Sequence, residues 1–254
     1  MQRLTDRVAV VTGSSTGIGR AIAERFGREG AKVVINSREL RRAQEAVDAL
    51  RAEGISAIAV EGDISRPEDS ERLAQAAVTE FGGLDIWVNN AGINAIAPSL
   101  ELDYRDFLRV IEVNLAGCFA GSQAAGRVMV PQGHGVILQI GSIFGEVGMP
   151  MRAAYCSAKH GLLGLTKVLS NEWARSGVRV VCLDPAYIRT DLDVQDQATG
   201  SYDDADVERR TPMGRYGTLD EVAGVALFLC SDDAGYVTGS RVTVDGGWMG
   251  YGGW

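Results

Sequence analysis

The stretch VAVVTGSSTGIGRAIA, residues 8 to 23, places three glycines between a strand pattern and a helix pattern. The apolar, β-branched run from Val8 to Val11 predicts a buried strand, and apolar side chains recur at helical spacing directly afterwards. Gly13, Gly17 and Gly19 lie on the bend between the two. Residues without side chains let the backbone approach another group closely, and the free N–H groups at the start of a helix attract an anion. The stretch therefore predicts a ligand that carries phosphate.

Strand and helix patterns alternate along the rest of the chain. Strand-like segments lie near residues 7 to 12, 31 to 36, 56 to 61, 84 to 88, 135 to 141, 178 to 184 and 241 to 244. Helix-like segments lie near residues 17 to 29, 38 to 53, 67 to 81, 104 to 130, 153 to 176 and 218 to 230. This alternation predicts an α/β fold, a doubly wound parallel sheet with helices on both faces. Since no linker interrupts it, we expect a single domain over residues 1 to 254, with ligands at the carboxyl ends of the strands.

Composition and charge limit the partners. The 254 residues include 25 basic and 33 acidic side chains, a net charge of −8 without a basic run, so we expect no nucleic-acid partner. The N-terminus lacks the apolar core of a signal peptide, and no apolar run is long enough to span a bilayer, so we expect a cytoplasmic protein with no membrane partner. The four cysteines are widely spaced and only two histidines accompany them, which predicts buried thiols and no metal site.

The glycine spacing G-x-x-x-G-x-G suits a dinucleotide lying across the sheet. Asp63, after the third strand, is placed to accept a hydrogen bond from an adenine amino group; alternatively, the segment DIS caps the helix that begins near Pro67. Ser37 and Arg38 stand where an acidic residue often holds the ribose hydroxyls of NAD, and Arg38 suits a 2′-phosphate. The preferred cofactor is therefore NADP. NAD stays possible because Glu39 follows directly.

A second group of residues predicts proton transfer. Tyr155 and Lys159 are four positions apart in a helix-like run and so share one face, while Ser142 closes an apolar strand. An ammonium group beside a phenol stabilises the phenolate, which brings proton exchange closer to neutral pH. Tyr155 is therefore the predicted general acid or base.

Six ordered motifs together resemble the short-chain dehydrogenase/reductase family: TGSSTGIG, NNAG, Asn114, Ser142, YCSAK and DPAYIRT. The resemblance covers essentially the whole chain. It implies a homotetrameric oxidoreductase with a Rossmann-type seven-stranded sheet and a catalytic tetrad of Asn114, Ser142, Tyr155 and Lys159. In that tetrad Tyr155 exchanges a proton with the substrate oxygen, Ser142 holds this oxygen, Lys159 binds the nicotinamide ribose and Asn114 anchors a water.

The resemblance also implies a set of cofactor contacts. They are Gly13, Ser15, Thr16, Gly17, Ile18, Gly19, Ser37, Arg38, Asp63, Ile64, Asn90, Ala91, Gly92, Tyr155, Lys159, Pro185, Ala186, Ile188 and Thr190. One stretch departs from the family, which usually has Asn-Pro-Gly after the sixth strand where this chain has Asp184-Pro185-Ala186. We expect the Asp184 carboxylate near the rim of the site.

The substrate pocket is predicted from the same resemblance. Its expected contacts are Ser142, Asn94, Phe144, Met149, Tyr155 and Tyr187. Asn94, Glu146 and Arg152 either meet substrate hydroxyls or face solvent. The acidic segment of residues 190 to 212 is either a mobile flap over the site or a variable surface loop. The aromatic tail VDGGWMGYGGW is expected in a subunit interface.

The pattern is similar to sugar, polyol and gluconate-type dehydrogenases and to 3-oxoacyl-acyl-carrier-protein reductases. A substrate attached to a carrier protein needs a basic docking patch near the pocket. The candidate residues for this patch are Arg152, Arg189, Arg209, Arg210 and Arg215. The acidic flap favours a free small carbonyl or secondary alcohol instead. A nicotinamide-independent dehalogenase on the same fold is opposed by the three glycines and the lysine of the tetrad, and a non-catalytic dinucleotide sensor is opposed by the intact tetrad.

Overall fold

A parallel sheet of seven strands forms the centre of the protein, in the order β3-β2-β1-β4-β5-β6-β7. The computed structural model describes residues 2–190, 194, 197 and 202–253. The strands are β1 (Val8–Val11), β2 (Lys32–Ser37), β3 (Ala57–Glu61), β4 (Ile86–Asn89), β5 (Gly135–Ile140), β6 (Val178–Pro185) and β7 (Arg241–Val244). The helices are α1 (Gly17–Arg28), α2 (Leu40–Ala52), α3 (Pro67–Phe81), α4 (Tyr104–Ile111), α5 (Gly117–Gln132), α6 (Ala153–Trp173), α7 (Asp204–Arg210) and α8 (Leu219–Cys230).

Both faces of the sheet are buried, as the uninterrupted apolar strands require. Along β1 the side chains alternate, with Ala9 and Val11 in one apolar cluster and Val8 and Val10 in the other. The first cluster packs against α1, α2 and α8, and the second against α3, α5 and α6. The predicted doubly wound fold is confirmed, with every predicted strand present.

The chain order reverses between β1 and β4, which are neighbours in the sheet. Loops that leave these two strands diverge to opposite sides and open a crevice at their carboxyl ends. The glycine turn follows β1 and the NNAG motif follows β4, so both enter this crevice. The topology thus places the predicted cofactor motifs side by side.

Two details of the helices differ from the prediction. The expected helix over residues 104 to 130 is divided by a π-helical turn at Glu112–Ala116, which contains Asn114. The wider turn has no signature in apolar spacing, so the pattern did not reveal it. A second difference is α7, which forms within the segment predicted as a flap and begins with a capping box between Asp203 and Asp206. No helix in the described part of the chain is long and apolar enough to cross a bilayer.

Candidate active site

A cavity of about 410 Å³ runs along the carboxyl ends of the strands. It brings together most of the predicted contacts: Gly13, Ser15, Thr16, Gly17, Ile18, Ser37, Arg38, Asp63, Ile64, Asn90, Ala91, Gly92, Asn94, Ser142, Phe144, Tyr155, Lys159, Pro185, Ala186, Tyr187, Ile188 and Thr190. Gly19, Asn114 and Met149 do not line it. A cavity lined both by the glycine turn and by Tyr155 and Lys159 has the residues that a dinucleotide and a small substrate require.

The glycine turn after β1 is locked against the NNAG loop. Gly13 has a left-handed backbone (φ +60°), and a Cβ there would lie 2.9 Å from the Cα of Ala91. The Asn90 Nδ2 donates hydrogen bonds to the carbonyl oxygens of Thr12 (2.9 Å) and Gly13 (3.1 Å). A Cβ on Gly19 would occupy the position of that Nδ2. Gly19 therefore acts through packing behind the turn, although it was predicted as a direct contact.

The start of α1 faces the cavity and fits a diphosphate. Thr16 is the N-cap residue but its side chain makes no capping hydrogen bond, so the first N–H groups of α1 keep their donors available. Gly17 has φ +58°, and a Cβ on it would meet nothing within 4 Å. An anion in that open space receives backbone hydrogen bonds and the favourable end of the helix dipole.

The end of β2 presents two guanidinium groups to the cavity. Arg38 is exposed, and Arg42, one turn further along α2, also lines the cavity. Arg42 Nε pairs with Glu39 Oε2 at 3.2 Å, and the Ser37 hydroxyl oxygen accepts a hydrogen bond from the Glu39 N–H at 3.2 Å. The subsite therefore carries two positive charges and one negative charge. Arg42 was not among the predicted contacts, although its spacing of four from Arg38 at the start of a helix was the available signal.

Asp63 lies in the cavity wall after β3. Its carboxylate accepts hydrogen bonds from the Ser65 N–H (3.0 Å), the Ser65 hydroxyl (2.7 Å) and Arg109 Nη2 (2.9 Å). Burial raises the pKa of Asp63, but the hydrogen bonds from Ser65 and Arg109 outweigh it and leave this pKa lowered. A carboxylate has about four acceptor positions, so one stays available for an adenine amino group. Neither Asp63 nor Ser65 caps α3, because Arg66 is its N-cap residue.

The end of the cavity that contains the predicted residues Ser142, Tyr155 and Lys159, here called the catalytic end, lies between β5 and α6. Lys159 is buried, and its Nζ donates a hydrogen bond to the Ile140 carbonyl oxygen (2.6 Å) and lies 5.5 Å from the centre of the Tyr155 ring. Ser142 lies two positions after the last residue of β5, and its hydroxyl oxygen accepts a hydrogen bond from the Phe144 N–H at 3.2 Å. Ser142, Tyr155 and Lys159 all line the cavity, and Tyr155 is half-buried. A substrate oxygen at this end would meet two hydroxyl groups and one ammonium.

Asn114 lies behind this end of the cavity and is fully buried. Its Oδ1 accepts a hydrogen bond from the Ile93 N–H (2.9 Å), and its Nδ2 donates one to the Ile93 carbonyl oxygen (2.8 Å). The side chain therefore fixes the loop after β4. Its role as the anchor of a water stays a prediction.

The substrate end has aromatic walls. Phe144 and Tyr187 meet edge to face at 6.2 Å, Tyr202 packs on Tyr187 at 5.2 Å, and all three line the cavity. Trp248, from the aromatic tail, packs behind Phe144 at 6.3 Å. Tyr202 falls inside the predicted flap, of which residues 191–193, 195–196 and 198–201 lie outside the described residues.

Arg152 and Glu146 were predicted to meet substrate or face solvent. The solvent alternative is wrong for Arg152, which is 2% exposed and lines the cavity. Glu146 does not line the cavity and forms an ion pair with Arg241 on β7. The predicted basic patch is also largely neutralised, because Arg189 pairs with Asp204 (2.8 Å) and Arg215 with Glu221 (2.6 Å).

Comparison with known proteins agrees with this geometry. A family model described as Enoyl-(Acyl carrier protein) reductase matches residues 13–249. The chain is 42% identical to 3beta-hydroxysteroid dehydrogenase 1 of Eggerthella lenta over 246 residues, which are 96% of this chain and 94% of that protein. It is 38% identical to glucose 1-dehydrogenase 2 of Bacillus subtilis over 247 residues, 96% of this chain and 95% of that protein. The chain belongs to the short-chain dehydrogenase/reductase family.

The solved structures of this short-chain dehydrogenase/reductase family include close structural neighbours. The crystal structure of a gluconate 5-dehydrogenase from Burkholderia cenocepacia, in complex with NADP and tartrate, matches with a TM-score of 0.92 at 35% identity, covering 98% of this chain and 97% of that one. The chain is thus an NAD(P)-dependent oxidoreductase that interconverts alcohols and carbonyls, as the sequence predicted. The dehalogenase and the non-catalytic sensor are thereby set aside.

Asp184 marks where this short-chain dehydrogenase/reductase departs from the Asn-Pro-Gly pattern. It was predicted at the rim of the site, and this is wrong: the residue is 0% exposed. The Cys182 thiol donates a hydrogen bond to its Oδ1 at 3.0 Å, and Arg241 Nε lies 3.6 Å from its Oδ2. Gly141 leaves room for the Asp184 carboxylate, because a Cβ on residue 141 would overlap that carboxylate. Burial raises the pKa of Asp184, while the Cys182 thiol, Arg241 and Lys159 oppose the rise in part.

Asp184→Asn is expected to make stability less dependent on pH. Because the folded pKa lies above the ordinary value of 3.8, the folded protein keeps this proton over an interval in which the unfolded chain has released it. The protonated Asp184 therefore contributes fully to stability below the ordinary value of 3.8. This contribution is lost as the pH rises through the folded pKa. The difference in the free energy of unfolding between the variant and wild type should therefore shift in favour of the variant between pH 4 and pH 8. Urea unfolding across this range measures it, with the exposed Asp48→Asn as control; a difference that does not change with pH contradicts the prediction.

Proposed function

We propose that the protein transfers a hydride between NADP(H) and a small carbonyl or secondary alcohol, with Tyr155 as the general acid or base. The observation that carries the proposal is that one cavity is lined by Ser142, Tyr155 and Lys159, by the glycine turn, and by Arg38 and Arg42. The nicotinamide supplies the hydride for reduction and accepts it in oxidation.

The residues of the catalytic end have separate tasks. The Ser142 hydroxyl oxygen already accepts from the Phe144 N–H, so its own hydrogen is left to donate to the substrate oxygen. Tyr155 gives a proton to that oxygen during reduction and takes it back during oxidation. Lys159 donates one of its three N–H groups to the Ile140 carbonyl oxygen. Two N–H groups are left, one for the cofactor ribose and one directed towards the Tyr155 phenol. Asn114 holds the loop that carries Ile93 against this end.

The proposed preference for NADP rests on Arg38 and Arg42. A 2′-phosphate between the two guanidinium groups receives charge-assisted hydrogen bonds, and the Ser37 hydroxyl adds a further donor. Glu39 opposes the phosphate, but its charge is shared with Arg42. Proteins similar to this chain include one solved with NADP, which supports the same choice.

Arg38→Gln is expected to weaken NADPH binding about 10- to 100-fold and to leave NADH binding unchanged, because a charge-assisted hydrogen bond contributes about 1.5–3 kcal/mol. Quenching of tryptophan fluorescence measures both affinities. Arg41→Gln is the matched control, since Arg41 lies three positions further on in the first turn of α2, pairs with Glu45 and does not line the cavity. Equal affinity of wild type for NADH and NADPH would overturn the preference.

The proposed substrate is a free small molecule of the sugar, polyol or ketone type. Relatives named for a hydroxysteroid, for glucose and for gluconate support this class. The 3-oxoacyl-carrier-protein alternative gains little support, because three of the five arginines of its expected docking patch, Arg189, Arg209 and Arg215, are paired with carboxylates. A screen of ketones, sugars and 3-oxoacyl thioesters, followed by the absorbance of the reduced cofactor, distinguishes the two; turnover of thioesters alone would overturn the proposal.

We also propose a homotetramer in the cytoplasm. Phe119 on α5 and Val168 on α6 are 46% and 52% exposed, and apolar side chains on adjacent helices suit contact with a second copy. All four cysteines are buried free thiols, which suits a reducing compartment. The oligomeric state is measured by sedimentation velocity.

A further inference from the structure

We propose that Arg109 is a positioning residue for the adenine of the cofactor: it holds the Asp63 carboxylate so that one oxygen accepts a hydrogen bond from the adenine amino group. This inference rests on the proposed function and adds to it a residue of α4 that acts on the base through Asp63. As a consequence, the protein distinguishes adenine from hypoxanthine, which carries an oxygen in place of the amino group.

The hydrogen bonds at Asp63 leave one acceptor position on a defined oxygen. Oδ1 accepts from the N–H and the hydroxyl of Ser65, at 3.0 and 2.7 Å, which uses both of its lone pairs. Oδ2 accepts from Arg109 Nη2 at 2.9 Å and keeps one lone pair. Burial by itself would raise the pKa of Asp63, but the hydrogen bonds from Ser65 and Arg109 lower it overall, so the group is ionised and only accepts. The available acceptor thus lies on the oxygen that Arg109 holds.

Three side chains fix the carboxylate by binding one another. Arg109 Nη1 donates to the Ser65 hydroxyl oxygen at 2.8 Å, while Nη2 donates to Asp63. The Ser65 hydroxyl in turn donates to Asp63 Oδ1. The Asp63 N–H donates to Asp69 Oδ2 at 2.8 Å, which holds the backbone. Because both contacts from Ser65 are made at Oδ1, Arg109 is the residue that sets the direction of Oδ2.

The helix that carries Arg109 is docked on the loop after β3. Arg109 lies in the last turn of α4, and Gly117 begins α5 after the π-helical turn. A Cβ on residue 117 would lie 2.7 Å from the Ile64 carbonyl oxygen, so the glycine lets the loop and the helix touch. Ile64 and Val113 line the cavity together with Asp63 and offer apolar contact to a flat base. The loop and the helix therefore build the adenine position jointly, and Arg109 is the polar link between them.

Arg109 also offsets a charge that would oppose the cofactor. NADP carries a diphosphate and a 2′-phosphate, and an uncompensated carboxylate in the same cavity would repel them. The Arg109 guanidinium lies 2.9 Å from the Asp63 carboxylate. Loss of Arg109 should therefore have two effects on binding. One is common to every dinucleotide phosphate, and the other is found only with adenine.

The test compares NADPH with reduced nicotinamide hypoxanthine dinucleotide phosphate by quenching of tryptophan fluorescence. We expect wild type to bind NADPH at least about 10-fold more tightly, as one hydrogen bond to a charged group provides. Arg109→Gln should reduce this ratio below about threefold, because the acceptor loses its direction. Arg109→Lys should keep part of the ratio, since lysine retains the charge without the fork. Arg105→Gln, at an exposed arginine one turn earlier on α4, is the control of equal charge change and should keep the wild-type ratio.

A second background separates positioning from direct contact. Asp63→Ala removes the acceptor, so it should lower the ratio as Arg109→Gln does. If Arg109 acts through Asp63, adding Arg109→Gln to Asp63→Ala should lower the ratio no further. A further fall in the double variant would mean that Arg109 contacts the base itself, which overturns its assignment as a positioning residue.

The remaining outcomes also decide the inference. Equal affinity of wild type for the two cofactors overturns it, and so does an unchanged ratio in Arg109→Gln. An equal loss of affinity for both cofactors in that variant overturns it as well, because Arg109 would then offset charge without orienting Asp63. Thermal unfolding shows whether Arg109→Gln folds; if it does not, Arg109→Lys and the wild-type ratio decide. Failure of wild type to bind any nicotinamide dinucleotide would instead overturn the proposed function.

Discussion

Replacing Tyr155 with phenylalanine is expected to lower kcat about 1,000-fold or more, since general acid–base catalysis by a positioned side chain contributes about 10²–10⁴-fold. The substitution removes one hydroxyl group and keeps the ring that packs 5.5 Å from Lys159 Nζ. The hydride donor, the Ser142 hydroxyl and the cavity walls all stay in place. NADPH affinity, measured by tryptophan quenching, should therefore change less than about threefold, well under 1 kcal/mol.

Two variants separate a catalytic loss from a structural one. Tyr236→Phe removes the same hydroxyl from a fully exposed tyrosine and should leave turnover intact. Ser142→Ala should lower kcat by about 10²-fold, as the loss of one donor to a developing oxyanion does. Retained turnover in Tyr155→Phe would end the acid–base assignment, whatever the cofactor data show.

The sequence predicted those parts of the fold that depend on local patterns. The β1–α1 unit followed from a β-branched run, three glycines and helical spacing, and the alternation of such units led to the doubly wound sheet. The π-helical turn at Glu112–Ala116 could not be predicted in this way. The Asn114 side chain connects that turn to Ile93, 21 positions earlier, through hydrogen bonds to the Ile93 N–H and carbonyl oxygen. The spacing of apolar residues does not indicate such hydrogen bonds.

Long-range polar pairs explain the errors at the site. Arg109 was missed because it reaches Asp63 from 46 positions away, and nothing near either residue in the sequence indicates the pairing. Asp184 was placed at the rim because a carboxylate is normally exposed. In the structure Gly141 makes room for it, and Cys182 and Arg241 face it from two strands. Burial of Arg152 likewise depends on the contact between the loop that carries Met151 and the loop that carries Ala97. The spacing of residues along the sequence does not predict that contact.

Gly19→Ala is expected to weaken NADPH binding at least about 30-fold, because it displaces two hydrogen bonds that contribute about 1 kcal/mol each. The new methyl group would occupy the place of Asn90 Nδ2 and lie 2.8 Å from the Gly13 carbonyl oxygen. Asn90 would then release the carbonyl oxygens of Thr12 and Gly13, which it holds at 2.9 and 3.1 Å. The turn that shapes the diphosphate position would open, although Gly19 itself does not line the cavity.

Gly27→Ala provides the matched control on the same helix. Its methyl group would press into the side chain of Ile55 at the far end of α1, so it should lower the free energy of unfolding by about 1–3 kcal/mol as overpacking does. Because Ile55 is remote from the glycine turn, NADPH affinity should stay at the wild-type value. Loss of affinity in Gly19→Ala alone then assigns the effect to the turn. An equal loss in both variants would instead mean that α1 as a whole had moved, and that the contact between Gly19 and Asn90 has no special part in holding the cofactor.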